Sequence, residues 1–286
     1  MSSHRLAKIT LDGMEIIGYS VAGEESVIAV PQLDVCFDAG KAPQQIIPIN
    51  HMLLTHGHMD HSAGIAYYLS QRNFCSLPAG TLLAPEPLTG YIKTILEAWG
   101  QLDGNPIPVN LVSVRAGDEY QIKPNLFTRV FSTRHSRGSV GYTVIERRKK
   151  LKAEYLKLSG PEIVQLKERG IVIAYPVELP LVSYLGDTQF DQFVELDYVM
   201  SGTILITECT FFLDEHLERA QVGRHMHADD MPALMERSQN KYVILTHVTQ
   251  RTGMGEIRNA LRNRLSKQAC EKILVLSESG FFPIMN

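Results

Sequence analysis

His56-Gly57-His58-Met59-Asp60-His61 places four side chains able to bind a metal within six residues. Imidazole and carboxylate groups suit zinc and its divalent neighbours, and a tight loop aims alternate side chains at one point. One zinc ion takes about four ligands in all. His56 and His58 can therefore serve one ion while Asp60 and His61, turned elsewhere by the loop, begin a second. Two adjacent metal ions are a device for hydrolysis. Surface histidines following a core strand would explain one or two of these residues, but not four at this density.

Such a loop needs a rigid support, and the apolar run Met52-Leu53-Leu54-Thr55 before it is too short for a free-standing helix and suited to a buried strand. The same arrangement recurs three times: residues 181–186 lead to Asp187, 203–207 to Glu208 and 242–246 to His247. Catalytic groups collect at strand ends because a sheet holds side chains more firmly than loops do. Residues 126–132 and 140–146 read as strands flanking Thr133-Arg134-His135-Ser136, which sets His135 at a strand end as well. Between residues 15 and 38, short apolar stretches broken by Gly and Pro read as strands at the edge of a sheet. Helical spacing marks residues 64–72, 87–99, 230–238 and 256–265. In the second of these it places the aromatic residues, Ile92, Ile95 and Leu96 in the core.

With 286 residues, 44% apolar and 21% charged, the chain has the composition of an ordinary globular protein. It shows no repeat, linker or low-complexity tract, and no run long enough to span a membrane. Met1-Ser2-Ser3-His4-Arg5 leads into Ile9-Thr10-Leu11-Asp12 without an apolar signal core, so the expected location is cytoplasmic. Cys36, Cys75, Cys209 and Cys270 form neither a CxxC pair nor a disulfide framework, and read mostly as buried reduced thiols. A net charge of −3 argues against a uniformly basic nucleic-acid binder. Yet the stretch from Arg147 to Arg169 holds eight Lys or Arg against three Glu. The spacing of Leu151, Tyr155, Leu158, Ile163 and Leu166 predicts short helices there, broken at Ser159-Gly160-Pro161.

The series His56-x-His58-x-Asp60-His61, His135, Gly186-Asp187-Thr188 and Thr246-His247 resembles, in this order, the ligand series of the metallo-β-lactamase superfamily. Further motifs are similar to those of the ribonuclease Z family in its short form, endonucleases that remove 3′ trailers from tRNA precursors. These are Phe37-Asp38-Ala39-Gly40, His135-Ser136-x-x-Ser139-x-Gly141-Tyr142, Glu208-Cys209-Thr210-Phe211 and His225-x-His227. Residues 149–170 resemble the insertion of plant-type short enzymes. Lys41-Ala42-Pro43-Gln44 stands where many bacterial members carry Glu-Gly-Thr-Gln, and His225-Met226-His227 replaces His-Ser-Thr.

The resemblance implies an α/β fold, the metallo-β-lactamase αββα sandwich of two packed mixed sheets flanked by helices. Residues 1–286 would form this single domain, with 147–170 as a small basic helical arm and tRNA exosite. It implies one zinc ion held by His56, His58 and His135, a second held by Asp60, His61 and His247, and Asp187 bridging them. Manganese or iron suits the same donor set. Glu208 and His225 are the implied pair that protonates the leaving oxygen, and Asp60 shares in positioning the attacking hydroxide. Arg147, Arg148, Lys149, Lys150, Lys152, Lys157 and His227 are the implied substrate contacts. The implied partners are precursor tRNA and a second copy of the chain, with no membrane and no DNA.

The residues leave two other readings open. One is a hydrolase of the same fold acting on a small thioester, lactone or phosphodiester, with a structural arm. The other is a non-catalytic RNA-binding relative.

Overall fold

The computed structural model describes residues 6–285, so the expectation for Met1 to Arg5 lies outside the described residues. The first half runs β1 (Ala7–Leu11), β2 (Met14–Val21), β3 (Glu25–Val30), β4 (Val35–Phe37), β5 (His51–Leu53), α1 (Met59–Ser62), α2 (Ile65–Phe74), β6 (Gly80–Pro85), α3 (Glu86–Asp103) and β7 (Val109–Val114). The second half begins with β8 (Glu119–Lys123), β9 (Leu126–Ser132), β10 (Val140–Leu151), α4 (Gly160–Glu168), β11 (Ala174–Tyr184) and α5 (Asp197–Met200). It continues with β12 (Ile204–Glu208), α6 (Leu217–Gly223), α7 (Met231–Arg237), β13 (Tyr242–Thr246), α8 (Met254–Arg264), α9 (Lys267–Glu271), β14 (Ile273–Ser277) and β15 (Gly280–Pro283).

Among the described residues, β1 to β7 form one sheet in chain order, and β8 to β15 form a second, again in consecutive order. Both sheets are mixed: β4 to β7 and β11 to β14 run parallel. The period-two alternation of strand side chains explains how they stack. Leu53 of β5 enters the core shared by the two sheets, while Met52 enters the core beneath α2 and α3. In the second sheet Ile204, Ile206 and Ile244 join Leu53, whereas Leu205, Val243 and Leu245 pack with Leu234, Ile257 and Leu261 of α7 and α8. The result is a helix–sheet–sheet–helix sandwich in which the inner parallel strands β4 to β6, β12 and β13 are buried on both faces, which is why they read as continuous apolar runs.

Three expectations need correction. Residues 15–38 do form strands, but β1 takes the sheet edge and β2 to β4 lie inside it. In α3, Ile92 and Leu96 are buried as expected, yet Tyr91, Ile95 and Trp99 are 64%, 52% and 51% exposed. A helix lying on one sheet buries a single stripe, and α3 carries more apolar residues than that stripe holds. In the basic segment, residues 147–151 prolong β10 and pair with residues 174–178 of β11, so the ladder overrides local helical spacing there. Only the second expected helix forms as an α-helix. It is α4, opened by a capping box in which Ser159 and Glu162 exchange hydrogen bonds.

Pairing of β9 with β10 ends at Glu146 opposite Leu126, so beyond Glu146 the arm leaves the sheet as a two-stranded ribbon with α4 near its tip. Cys36, Cys209 and Cys270 are buried free thiols and Cys75 is exposed. No helix among the described residues is long and apolar enough to cross a membrane.

Candidate metal centre and active site

The sandwich brings its strand ends together at one edge. His56 and His58 follow β5, His61 lies in α1, His135 sits in the turn between β9 and β10, and Asp187 and His247 follow β11 and β13. Ligand atoms of His56, His58, His135 and Asp187 lie within 4.8 Å of one another, as do those of Asp60, His61 and His247. Asp187 Oδ2 sits at the meeting point, 3.2 Å from His247 Nε2, 3.3 Å from His61 Nε2, 3.7 Å from His135 Nε2 and 3.8 Å from His56 Nε2. His58 Nδ1 faces His135 Nε2 at 3.1 Å. All seven residues read from the sequence as ligands therefore converge.

The turns that achieve this depend on unusual backbone. Asp38 and His247 both adopt φ 55°, the left-handed region that non-glycine residues rarely occupy. Gly186 has φ 62°, and a Cβ there would come within 2.6 Å of Thr55 Oγ1. Gly40 packs so close to the metal loop that a Cβ would overlap the Asp60 carbonyl.

A second layer of residues fixes four of the imidazoles, and spacing alone does not reveal it. His61 Nδ1 donates to Asp38 Oδ2 at 2.8 Å, and His56 Nδ1 donates to Thr55 Oγ1 at 3.0 Å, which in turn donates to Asp38. Tyr184 also donates to Asp38 Oδ2. On the other sheet His247 Nδ1 donates to Thr210 Oγ1 at 2.9 Å, and Thr210 donates to Glu208 Oε2 at 2.6 Å. His135 Nδ1 donates to the Arg224 carbonyl. These four rings thus have their Nδ1 protons committed and their Nε2 atoms turned inward, the arrangement by which proteins orient metal-binding histidines, whereas His58 turns its Nδ1 toward the cluster. The buried Nε2 atoms of His56 and His61 have no hydrogen-bond partner in the protein. Buried nitrogens without partners are costly, and a divalent cation is what this donor set fits.

The electrostatics hold His56, Asp187 and Asp60 in ligand-competent states. Burial and the neighbouring His61 push His56 well below the ordinary histidine range. Burial alone would raise Asp187, but His247 and His61 outweigh it and hold the carboxyl well below the usual range. Asp60 is likewise held down at about 2, the hydrogen bond from His247 and the charge of His61 overcoming burial. His61 moves the other way: Asp187 and Asp38 outweigh burial and raise it, as expected of a ring placed where a cation is favoured.

Beside this cluster, His225 Nδ1 donates to Glu208 Oε1 at 2.8 Å, and its ring stacks on His247 with centroids 5.1 Å apart. Glu208 is fully buried and also accepts from the Thr188 and Met226 amides. Burial would lower His225, but the charge and hydrogen bond of Glu208 prevail and push it up to about 9.

The remaining expected contacts fare differently. His227 is 1% exposed; its Nε2 donates to the Leu213 carbonyl and its Nδ1 accepts from the Asp229 amide. It caps a turn and has no free nitrogen for a substrate, a correction to its expected role. Arg147 bonds Glu119 and Glu178, the same two carboxylates that Arg129 bonds, and lies 4.2 Å from the Phe127 ring centroid. Arg148 pairs with Glu146. The expected RNA-gripping cations at these two positions are already engaged within the chain. Lys149, Lys150, Lys152 and Lys157 have no carboxylate partner among the described residues.

Residues 29–248 match the family model described as the β-lactamase superfamily domain. The chain is 32% identical over 254 residues to tRNase Z TRZ1 of Arabidopsis thaliana, covering 88% of this chain and 91% of that protein. It is 30% identical over 277 residues to the chloroplastic tRNase Z TRZ2 of the same plant, covering 96% and 77%. Among solved structures it is similar in fold to the metallo-β-lactamase fold protein YhfI from Bacillus subtilis. The TM-score is 0.62 at 14% identity, over 92% of this chain and 95% of that one.

Proposed function

The chain belongs to the ribonuclease Z family of the metallo-β-lactamase superfamily, and from that premise we propose that it is a zinc-dependent endoribonuclease removing 3′ trailers from tRNA precursors. The observation that carries the reading is the Glu208–His225 pair set 2.8 Å apart beside the convergent His and Asp cluster. The cluster supports metal-dependent hydrolysis in general, and the pair adds a proton donor for an alkoxide leaving group.

His56, His58 and His135 would hold one zinc ion and Asp60, His61 and His247 the other, with Asp187 between them. Bound there, two divalent cations supply Lewis-acid charge and a water ionised near neutral pH. Asp60 Oδ2 accepts from the Gly23 amide and lies 3.4 Å from His247 Nε2, which leaves its second oxygen to orient the attacking water. His225 carries the proton to the ribose 3′ oxygen, and Glu208 holds the ring in place and keeps it protonated. The products are a tRNA 3′-hydroxyl and a 5′-phosphorylated trailer. The arm lysines, being unpaired, contribute sequence-independent phosphate contacts, which suits an enzyme accepting many tRNAs. A dimer, in which one subunit's arm serves its partner's cleft, completes the reading.

The test is cleavage of a trailer-bearing precursor by wild type and His225→Ala in a single turnover. The reading requires cleavage at the trailer junction and a fall of about 10²-fold or more in the variant. Unchanged single-turnover cleavage would remove His225 as proton donor.

A further inference from the structure

The turn that carries His135 is held rigidly. Ser139 Oγ donates to the carbonyls of Thr133 and Ser136 and accepts from the His135 amide, and the Gly138 turn packs on Pro87. On either side of buried His135 this turn exposes Arg134 and Arg137, neither of which has a carboxylate partner among the described residues. By contrast, Arg115, Arg129, Arg147, Arg148, Arg237 and Arg264 each pair with one or two carboxylates.

Arg224 meets the same turn at His135. Its carbonyl accepts from His135 Nδ1, its Nη1 donates to the His135 carbonyl at 3.2 Å, and its side chain is exposed next to His225. Arg224 also ends α6 at φ 55°, ψ 49°. That left-handed position is one where glycine is the usual residue and a β-carbon carries a cost. A strained arginine beside reactive groups points from the outlier to a function. One of its five N–H donors is used on His135, leaving the rest of the fork for an anion.

We propose that Arg134, Arg137 and Arg224 form a phosphate-binding rim around His135, holding the RNA phosphates that flank the scissile linkage. The proposal rests on the endoribonuclease reading for its ligand, and it names where that ligand is gripped near the chemistry, apart from the arm. Guanidinium groups suit the task because they pair with phosphate oxygens through two parallel hydrogen bonds. Their placement on one fixed turn and one fixed helix end, tied to each other through His135, would hold the backbone in register without reading its bases.

The test uses the zinc-loaded full chain and an acceptor-stem hairpin bearing a 3′ trailer, with a methylphosphonate at the cleavage position so that binding is read without turnover. Affinity is followed across salt concentration for wild type, Arg134→Ala, Arg137→Ala, Arg224→Gly and the triple variant. Each single change should weaken binding several-fold and reduce the slope of log affinity against log salt by about 0.7 to 0.9. Arg224→Gly should melt no lower than wild type, since glycine suits the left-handed position, so lost binding there cannot be ascribed to misfolding.

Wild-type affinity and slope in the triple variant would overturn the rim, as would weakened binding at an unchanged slope. Failure of wild type to cleave a native precursor would sink the nuclease reading alone, because hairpin binding still decides whether the rim grips phosphates.

Discussion

The metal cleft draws on both sheets and the basic arm prolongs the second, and the two are built by opposite means. In the cleft, most functional side chains are buried or half-buried and committed to a partner, His61 to Asp38, His56 to Thr55, His247 to Thr210 and His225 to Glu208, with His58 the exposed member. In the arm, α4 buries no residue, and the strands beyond Glu146 pair only with each other. An isolated two-stranded ribbon is marginal in water. Its root is tied down by a ring in which Arg129 and Arg147 each bond both Glu119 and Glu178, spanning β8 to β11. The contrast separates two kinds of work. Chemistry needs positions fixed to fractions of an ångström, and buried hydrogen bonds supply that. Long-range attraction of a polyanion, the work proposed for the arm, needs only charge, which solvated lysines are suited to supply.

If that division is right, changes in the cleft should act on turnover and metal, and changes in the arm on binding. The largest effect belongs to Asp187→Ala, which removes the carboxylate lying 3.2 to 3.8 Å from four imidazoles. Cleavage should fall on the order of 10³-fold, and zinc should no longer raise the melting temperature of the chelated protein, as it should for wild type by binding the folded state. Next is Glu208→Gln, with kcat down roughly 10²-fold. The reaction needs His225 protonated, so rate declines as pH rises through its pKa. Without the Glu208 charge that pKa drops, and the alkaline limb of the profile should move to lower pH. An unmoved limb would detach His225 from that limb.

Asp38→Asn should weaken zinc about 10- to 100-fold in a chelator competition, since it disturbs the groups that orient His61 and His56. In the arm, reversing Lys149, Lys150, Lys152 and Lys157 together to Glu should raise KM for precursor about tenfold or more and flatten its salt dependence, with the loss carried in KM. A loss carried in kcat would break the comparison. Glu178→Gln should have the smallest effect, about 0–1 kcal/mol on stability, because the ring is partly exposed.

What the sequence reveals follows the same division. His56, His135, Asp187 and His247 could be singled out because a strand end followed by His or Asp is a local pattern, while their grouping into two metal sites came from the family resemblance. The apolar runs marked buried strands alternating with helices, while the αββα layering itself came from the family resemblance. Thr55 and Tyr184 escaped because their function lies in what they touch: Tyr184 reaches Asp38 across 146 residues of chain. Thr55 stood in plain view before His56, and a hydroxyl next to a metal histidine was the available signal. His227 was misassigned because a histidine two residues from a reactive one looks alike whether it faces the cleft or caps a turn. The arm was read as helical because period alone cannot show that residues 147–151 have a partner strand at 174–178. Arg147 looked free because Glu119 and Glu178 are far away in the chain. Exposed Tyr91, Ile95 and Trp99 mark the same limit, since spacing defines a helix face but not how wide a stripe its neighbour covers.

The central claim is that this cleft performs metal-dependent trailer removal. It is tested most directly by incubating a precursor tRNA carrying a 3′ trailer with chelated protein, with and without added zinc, and mapping both product ends. The account predicts zinc-dependent cleavage after the discriminator base, giving a tRNA 3′-hydroxyl and a 5′-phosphorylated trailer. Folded, zinc-loaded protein that leaves the precursor intact would contradict it, and would turn attention to a small ester or phosphodiester as the substrate of the same cluster.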